Sequence, residues 1–505
     1  MSRNLAILIR EMRIITQLRS VAAVLSWDQG TYMPQGGARA RAEQISLILS
    51  MSHARFTSAD FRRSLAPLVD LPTGEVQQDG LIPKEVRLLQ MIWRDWRRAT
   101  ALPVEFVGEL TRMTSEAQYV WEKARNQNNF GRLAPYLEKI ISMKRHETDY
   151  LGYDEVPYDA LLDGHEPSMT TRQLEVLFAE LRPVLVNLAD RIKGTDPPDR
   201  RDILTRNYDE TDQWEFGIDI LREMGYDFKR GRQDRSAHPF TTNFHPSDVR
   251  ITTRLNHDDL ALGLFGTLHE GGHALYEQAL DDRYFGTPLC EPISLGIHES
   301  QSRLWENYVG RSRPFWEGHY PRLQKYFPDQ LAEITLEDFY AAVNTVAPSL
   351  IRTEADEVTY NLHIMLRFEL EQAMINDNVA VSDLPTMWNE GMEKYLGIRP
   401  RNDAEGILQD IHWSMGAIGY FPTYALGNLY GRQLYEAAKD QIDCLEEKIA
   451  GGDLVTLREW LREHVHQIGR AKTADELMRE ISGKSLSAVP FIHYLEQKYS
   501  ELYQV

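Results

Sequence analysis

His269-Glu270-Gly271-Gly272-His273 is the segment whose residue types and spacing could do chemistry. On a helix, residues four apart share a face one turn apart, so His269 and His273 would aim both imidazoles at one metal ion, with Glu270 beside them. A bound divalent metal lowers the pKa of its water towards neutrality, and the adjacent carboxylate accepts that water's proton as it attacks a carbonyl. The pattern predicts a hydrolytic metal centre. Such a centre needs a third protein ligand and keeps one position open. Glu299 lies 26 residues after His273 (299 minus 273), within His298-Glu299-Ser300-Gln301-Ser302-Arg303. That distance suffices for one loop and a return onto the first helix, and a glutamate completes a two-histidine, one-carboxylate shell. The alternatives are that Glu299 caps or ion-pairs within its own helix, or that His298 is the ligand.

The elements around the motif must hold it. Leu260, Leu264, Leu268 and Leu275 form an apolar stripe at helical spacing, and Asp258 or Asp259 can cap the helix start. Gly271 and Gly272 oppose a helix at about 1 kcal/mol each relative to alanine. Either something approaches the backbone closely there, or the glycines relieve crowding against a neighbouring helix. Just upstream, Ser236–Phe244 and Val249–Leu255 read as a hairpin with its turn at 245–248, because Val249, Ile251, Thr253 and Leu255 alternate strictly.

Elsewhere helical periodicity dominates: 4–25, 38–54, 84–96, 104–126, 134–149, 172–193, 210–224, 258–280, 295–310, 336–346, 354–374, 403–416, 424–446, 454–467 and 472–481. Clusters such as Leu71-Pro72-Thr73-Gly74 and Gly194-Thr195-Asp196-Pro197-Pro198 separate them. With no low-complexity tract, fixed-period repeat or linker, the expected fold is mainly α. It is a helical two-lobed body with a deep central groove and a small antiparallel β-sheet beside the metal site, residues 1–505 forming one domain.

Composition bounds the function. Of the 505 residues, 42% are hydrophobic and 26% charged, as in ordinary globular proteins. The formal net charge of −19 argues against nucleic-acid binding, which calls for a basic footprint. Cys290 and Cys444 form no Cys-x-x-Cys pair, so neither a disulfide framework nor a cysteine metal cluster is expected. No apolar run approaches the roughly 20 residues that span a bilayer, and the short apolar stretch after Met1 lacks a signal-peptide cleavage pattern. A cytoplasmic protein is the expectation.

Several further motifs occur in order: His238-Pro239-Phe240, Asp248-Val249-Arg250-Ile251-Thr252, the metal motif, His298-Glu299-Ser300-Gln301, Ile351-Arg352-Thr353-Glu354-Ala355-Asp356, and Gly406-Ile407-Leu408-Gln409-Asp410-Ile411-His412-Trp413. Together they resemble the carboxypeptidase Taq family of metallocarboxypeptidases over nearly the whole chain. The resemblance implies a neurolysin-like helical fold, a homodimer, one zinc or cobalt ion per subunit, peptide substrates, and broad removal of C-terminal residues that stalls at proline.

A carboxypeptidase must recognise a free terminal carboxylate, and a guanidinium matches one with a planar fork of donors. Arg352 is the first candidate, against an ion pair with Glu354, Asp356 or Glu357. Arg250 is the second, against an ion pair with Asp248. Tyr420 and His412 are candidate donors to the oxyanion of the tetrahedral intermediate, with Tyr424 behind them; each could equally be core. His238 either touches substrate or packs at the hairpin. An endopeptidase or oligopeptidase using the same metal site is the rival activity, and a peptide-binding scaffold with a dead site the rival class. Against the scaffold, Glu270 and all three ligands are present.

Overall fold

The computed structural model describes residues 2–195 and 200–505. The separator at 194–198 lies partly outside them, at Asp196-Pro197-Pro198. Two compact units emerge, each assembled from three stretches of chain. The first comprises Met1–Thr100, Arg200–Val343 and Leu434–Ser485; the second comprises Ala101–Asp199, Asn344–Gln433 and Leu486–Val505.

In the first unit a long amino-terminal helix, Arg3–Thr31, turns back as Ala38–Phe56. Leu5, Leu8, Met12 and Ile15 of the first helix pack with Phe56, Phe61, Leu65, Leu89 and Ile92 into one apolar cluster. The motif helix runs Leu260–Ala279, and the Asp259 side chain accepts from the Leu262 amide to cap it. Leu260, Leu264, Leu268 and Leu275 are all buried. The helix Leu295–Arg303 follows and widens over Leu304–Val309, where the Gly310 amide bonds five residues back to the Trp305 carbonyl. Such widened turns recur at functional sites.

The sheet differs from the sequence expectation. β2 (Thr241–His245) and β3 (Asp248–Thr253) form the antiparallel hairpin, but β1 (Gly231–Arg235) pairs with β3 in parallel, giving the order β1-β3-β2 and a mixed sheet. β1 reads Gly-Arg-Gln-Asp-Arg and shows no apolar alternation. It is held instead by main-chain pairing and by polar contacts of Asp234 with Arg232 and Tyr32. Val249, Ile251 and Thr253 are buried as expected, while Leu255 lies beyond the strand.

In the second unit the helix Tyr360–Ile375 is central, with 14 of its 16 residues buried. Two helical expectations fail nearby. The helix expected from 354 begins only at Tyr360, because Asp356 accepts from the Val358 and Thr359 amides and closes a turn ahead of it. Residues 403–416 form turns with a single short helical turn at His412–Met415. Their apolar spacing reflects burial around a polar cluster, not a helix. The carboxy-terminal helix Val489–Tyr503 braces the segment bearing Arg352: Lys498 Nζ donates to the buried Glu357 at 2.8 Å, and Tyr503 donates its hydroxyl proton to the Asn344 carbonyl at 3.4 Å.

The two motif glycines have different neighbours. A Cβ on Gly272 would lie 2.5 Å from the Gln301 carbonyl oxygen and 2.8 Å from Ser302 Cα; one on Gly271 would meet the Leu221 side chain at 2.7 Å. The first contact is backbone against backbone and cannot yield. Gly272→Ala adds about 1 kcal/mol of helix propensity, yet it is expected to lower the thermal midpoint and weaken metal binding. Calorimetry with a metal titration tests this; a variant as stable and as tight-binding as the parent would contradict the assignment.

Candidate metal centre

The close approach at Gly272 delivers Glu299 to the histidines. His269 Nε2 and His273 Nε2 lie 3.8 and 3.4 Å from Glu299 Oε2. One donor atom from each of the three residues falls within 4.8 Å of the others. Two imidazoles and a carboxylate converging on one point suit a borderline divalent cation such as zinc or cobalt. His298 turns the other way: its ring stacks on His273 at 4.3 Å and bonds Glu277 at 2.9 Å.

A second tier orients these groups. His269 Nδ1 meets Glu306 at 2.8 Å, which directs Nε2 into the cluster. Arg303 bridges the two carboxylates, with Nε on Glu299 at 2.8 Å and Nη1 on Glu306 at 3.1 Å. Burial opposes ionisation of both, but Arg303 and the histidines prevail and hold Glu299 and Glu306 well below the usual carboxylate range. Glu270 behaves oppositely. Burial pushes its carboxyl up, against His269 and a 2.6 Å hydrogen bond from the Thr241 hydroxyl. Two neighbouring helices thus bring together a carboxylate suited to holding a cation, Glu299, and another poised to take a proton, Glu270. Thr241, Arg303 and Glu306 had no assigned role in the sequence reading. Glu306 lies seven residues after Glu299 and three after Arg303, a same-face spacing that could have flagged it.

The remaining candidates fall elsewhere. Arg250 forms a two-point ion pair with Asp248 at 2.9 Å and covers the Trp27 ring at 4.4 Å. His238 is exposed on the stretch before β2. Both belong to the first unit. Arg352, His412 and Tyr420 belong to the second, where they form a cluster. Arg352 donates Nε and Nη2 to Asp410 Oδ1 at 3.1 and 2.9 Å and Nη1 to the Tyr360 hydroxyl at 3.1 Å. Its carboxylate partner is therefore 58 residues away, not the local Glu354, Asp356 or Glu357. Arg367 donates to the other oxygen of Asp410 at 2.7 Å. His412 bonds Tyr424 at 3.2 Å, and its ring lies 5.5 Å from Tyr420. Burial and the two arginines outweigh Asp410 and bring His412 down to about 4, so it is neutral at physiological pH.

Glu306→Gln keeps the shape of the His269 contact but removes its charge. It is expected to weaken metal affinity about 10- to 100-fold, read by competition with a chelator; unchanged affinity would show that Glu306 does not orient His269.

The carboxypeptidase Taq (M32) metallopeptidase model matches residues 7–499. Thermostable carboxypeptidase 1 of Thermus thermophilus is 42% identical, with 98% of each chain covered. The crystal structure of the M32 carboxypeptidase of Deinococcus radiodurans R1 superposes with a TM-score of 0.96 at 42% identity over 100% of both chains. Metallocarboxypeptidase 1 of Trypanosoma cruzi superposes at 0.92 with 32% identity, covering 98% of this chain and 99% of that one. A family match spanning nearly the whole chain, on a fold that carries the convergent His269, His273 and Glu299, shows that this chain belongs to the carboxypeptidase Taq (M32) family of metallopeptidases.

Proposed function

We propose that this metal-dependent peptide hydrolase removes single residues from the free C-termini of peptides, with broad side-chain tolerance and poor action at proline. The observation that carries the reading is the charge of the second unit's cluster. Two buried guanidiniums, Arg352 and Arg367, share the single carboxylate of Asp410. That trio carries one positive charge in excess, and a peptide's terminal carboxylate would neutralise it. In this reading Arg352 receives that carboxylate.

His269, His273 and Glu299 hold one divalent ion, zinc before cobalt, which when bound supplies Lewis-acid activation of water and of the scissile carbonyl. Glu270, its pKa raised by burial and its carboxylate fixed by Thr241, accepts the attacking water's proton and returns it to the leaving amine. Neutral His412 and Tyr420 offer N–H and O–H donors to the oxyanion. β2 is an edge strand beginning at Thr241, so an extended peptide can add to it, with His238 and Arg250 flanking. The chain acts as one metallocarboxypeptidase domain and pairs into a homodimer. Cys290 and Cys444 are free thiols, which suits a reducing cytoplasm, and among the described residues no helix is long and apolar enough to cross a membrane.

Glu270→Gln should retain one metal ion per chain and lose at least about 100-fold in turnover; metal analysis beside peptide hydrolysis reads both, and near-parental turnover would sink the role. Matched peptides with free and amidated C-termini, digested with and without chelator and analysed by mass, separate the two activities. The reading predicts stepwise loss of single residues from the free peptide alone, whereas internal cleavage of both peptides would establish the endopeptidase instead.

A further inference from the structure

Glu371 is a fully buried carboxyl on the central helix of the second unit. An apolar residue would be cheaper there, because burying a carboxylate costs several kcal/mol unless donors replace its water. Three donors from separated positions do so. The Tyr158 hydroxyl donates at 2.6 Å, Trp413 Nε1 at 2.9 Å and the Gly419 amide at 3.0 Å. Even so, burial pushes the Glu371 carboxyl up to about 7.

The geometry of the last two donors indicates what this arrangement does. Trp413 and Gly419 bracket a stretch whose only regular structure is the short turn His412–Met415, and the stretch turns at Gly416 and Gly419 with φ of +70° and +86°. Gly419 is required twice over. Its backbone conformation disfavours side chains, and a Cβ would lie 2.9 Å from the Leu161 carbonyl carbon and the Leu162 nitrogen, so only glycine brings that amide in to Glu371. One turn earlier on the same helix face, Arg367 grips Asp410 at 2.7 Å. The helix therefore holds the 410–419 stretch at three points: Asp410 through Arg367, and Trp413 and Gly419 through Glu371. His412 lies between the first two points, and Tyr420 immediately follows the third.

We infer that Glu371 is a positioning residue for the hydrolytic reaction, strapping the Trp413–Gly419 loop so that His412 and Tyr420 are presented in one fixed arrangement. The inference rests on the reading of those two residues as oxyanion donors. Glu371 is fully buried and both its oxygens are taken by Tyr158, Trp413 and Gly419, so its effect should appear in the chemical step, not in general binding or metal retention.

The test compares Glu371→Gln, Trp413→Phe, His412→Ala and Tyr420→Phe with the parent in the metal-loaded full chain, measuring kcat, KM, metal content and thermal midpoint on one free-C-terminus peptide. Glu371→Gln is expected to lower kcat at least about tenfold with KM within about threefold and metal content unchanged. Trp413→Phe, which removes one donor and leaves Glu371 in place, should reproduce the same split more weakly if Glu371→Gln fails to fold. Adding Glu371→Gln to His412→Ala or Tyr420→Phe should lose less than the product of the single effects, since residues acting as a unit are not additive. Parental kcat in both Glu371→Gln and Trp413→Phe, or a loss that tracks metal content, would overturn the inference. If His412→Ala and Tyr420→Phe both leave kcat intact, the donor reading fails and the strap that acts through them fails with it; if they lower kcat while Glu371→Gln and Trp413→Phe keep the parental value, the donor reading stands and the strap alone is overturned.

Discussion

Gly272 lets two pieces of main chain touch. The Gln301 carbonyl oxygen stands 2.5 Å from where a Cβ would be, so the motif helix and the helix bearing Glu299 approach more closely than side chains allow. The rest of the metal centre depends on that contact. It sets the 3.4 Å separation of His273 and Glu299. On the approaching segment its own spacing sets Arg303, one turn after Glu299, beside Glu306, and Glu306 in turn orients His269. The intrinsic helical cost of glycine is thus the cost of bringing a carboxylate to two histidines that a single helix already aligns.

Three carboxylates on this small surface do different work because their surroundings differ. Glu299 and Glu306 share Arg303 and stay ionised, as a cation-holding shell requires. Glu270 has His269 and the Thr241 hydroxyl to offset burial but no arginine, and its carboxyl rises. The second unit repeats the logic with opposite charge. Arg352 and Arg367 converge on Asp410, and the buried Glu371, one turn from Arg367, takes only uncharged donors. Polar groups in such settings impose order because leaving one unpaired is costlier than forming it.

The fold and the chemistry were unequally legible. Helices such as 104–126 and 210–224 carried their bounds in apolar spacing and matched residue for residue. The motif helix was also evident, with its cap narrowed to Asp258 or Asp259, of which Asp259 serves, as was the β2–β3 hairpin. The helices Arg313–Tyr326, Leu384–Leu396 and Val489–Tyr503 were not read at all, and structure held by polar contacts was misread. β1 has no apolar rhythm, and the turns of 403–416 imitate helical spacing because Ile407, Leu408 and Trp413 are buried without forming an α-helix. The convergence of His269, His273 and Glu299 was legible, because four-residue spacing on a helix aligns the two histidines and the 26-residue return brings the carboxylate back to them. The partners of Arg352 and Glu371 were not, since Asp410, Tyr158 and Gly419 are brought to them only by the folded chain.

Two touching backbones bring three side chains to one point, and we propose that one metal ion sits there. A crystal structure of the metal-loaded protein, with anomalous diffraction recorded at the absorption edge of the bound metal, tests it most directly. One anomalous peak per chain is expected, bonded to His269 Nε2, His273 Nε2 and Glu299, with Glu306 still on His269 Nδ1. A peak coordinated by His298, or by Glu306 in place of Glu299, would contradict it.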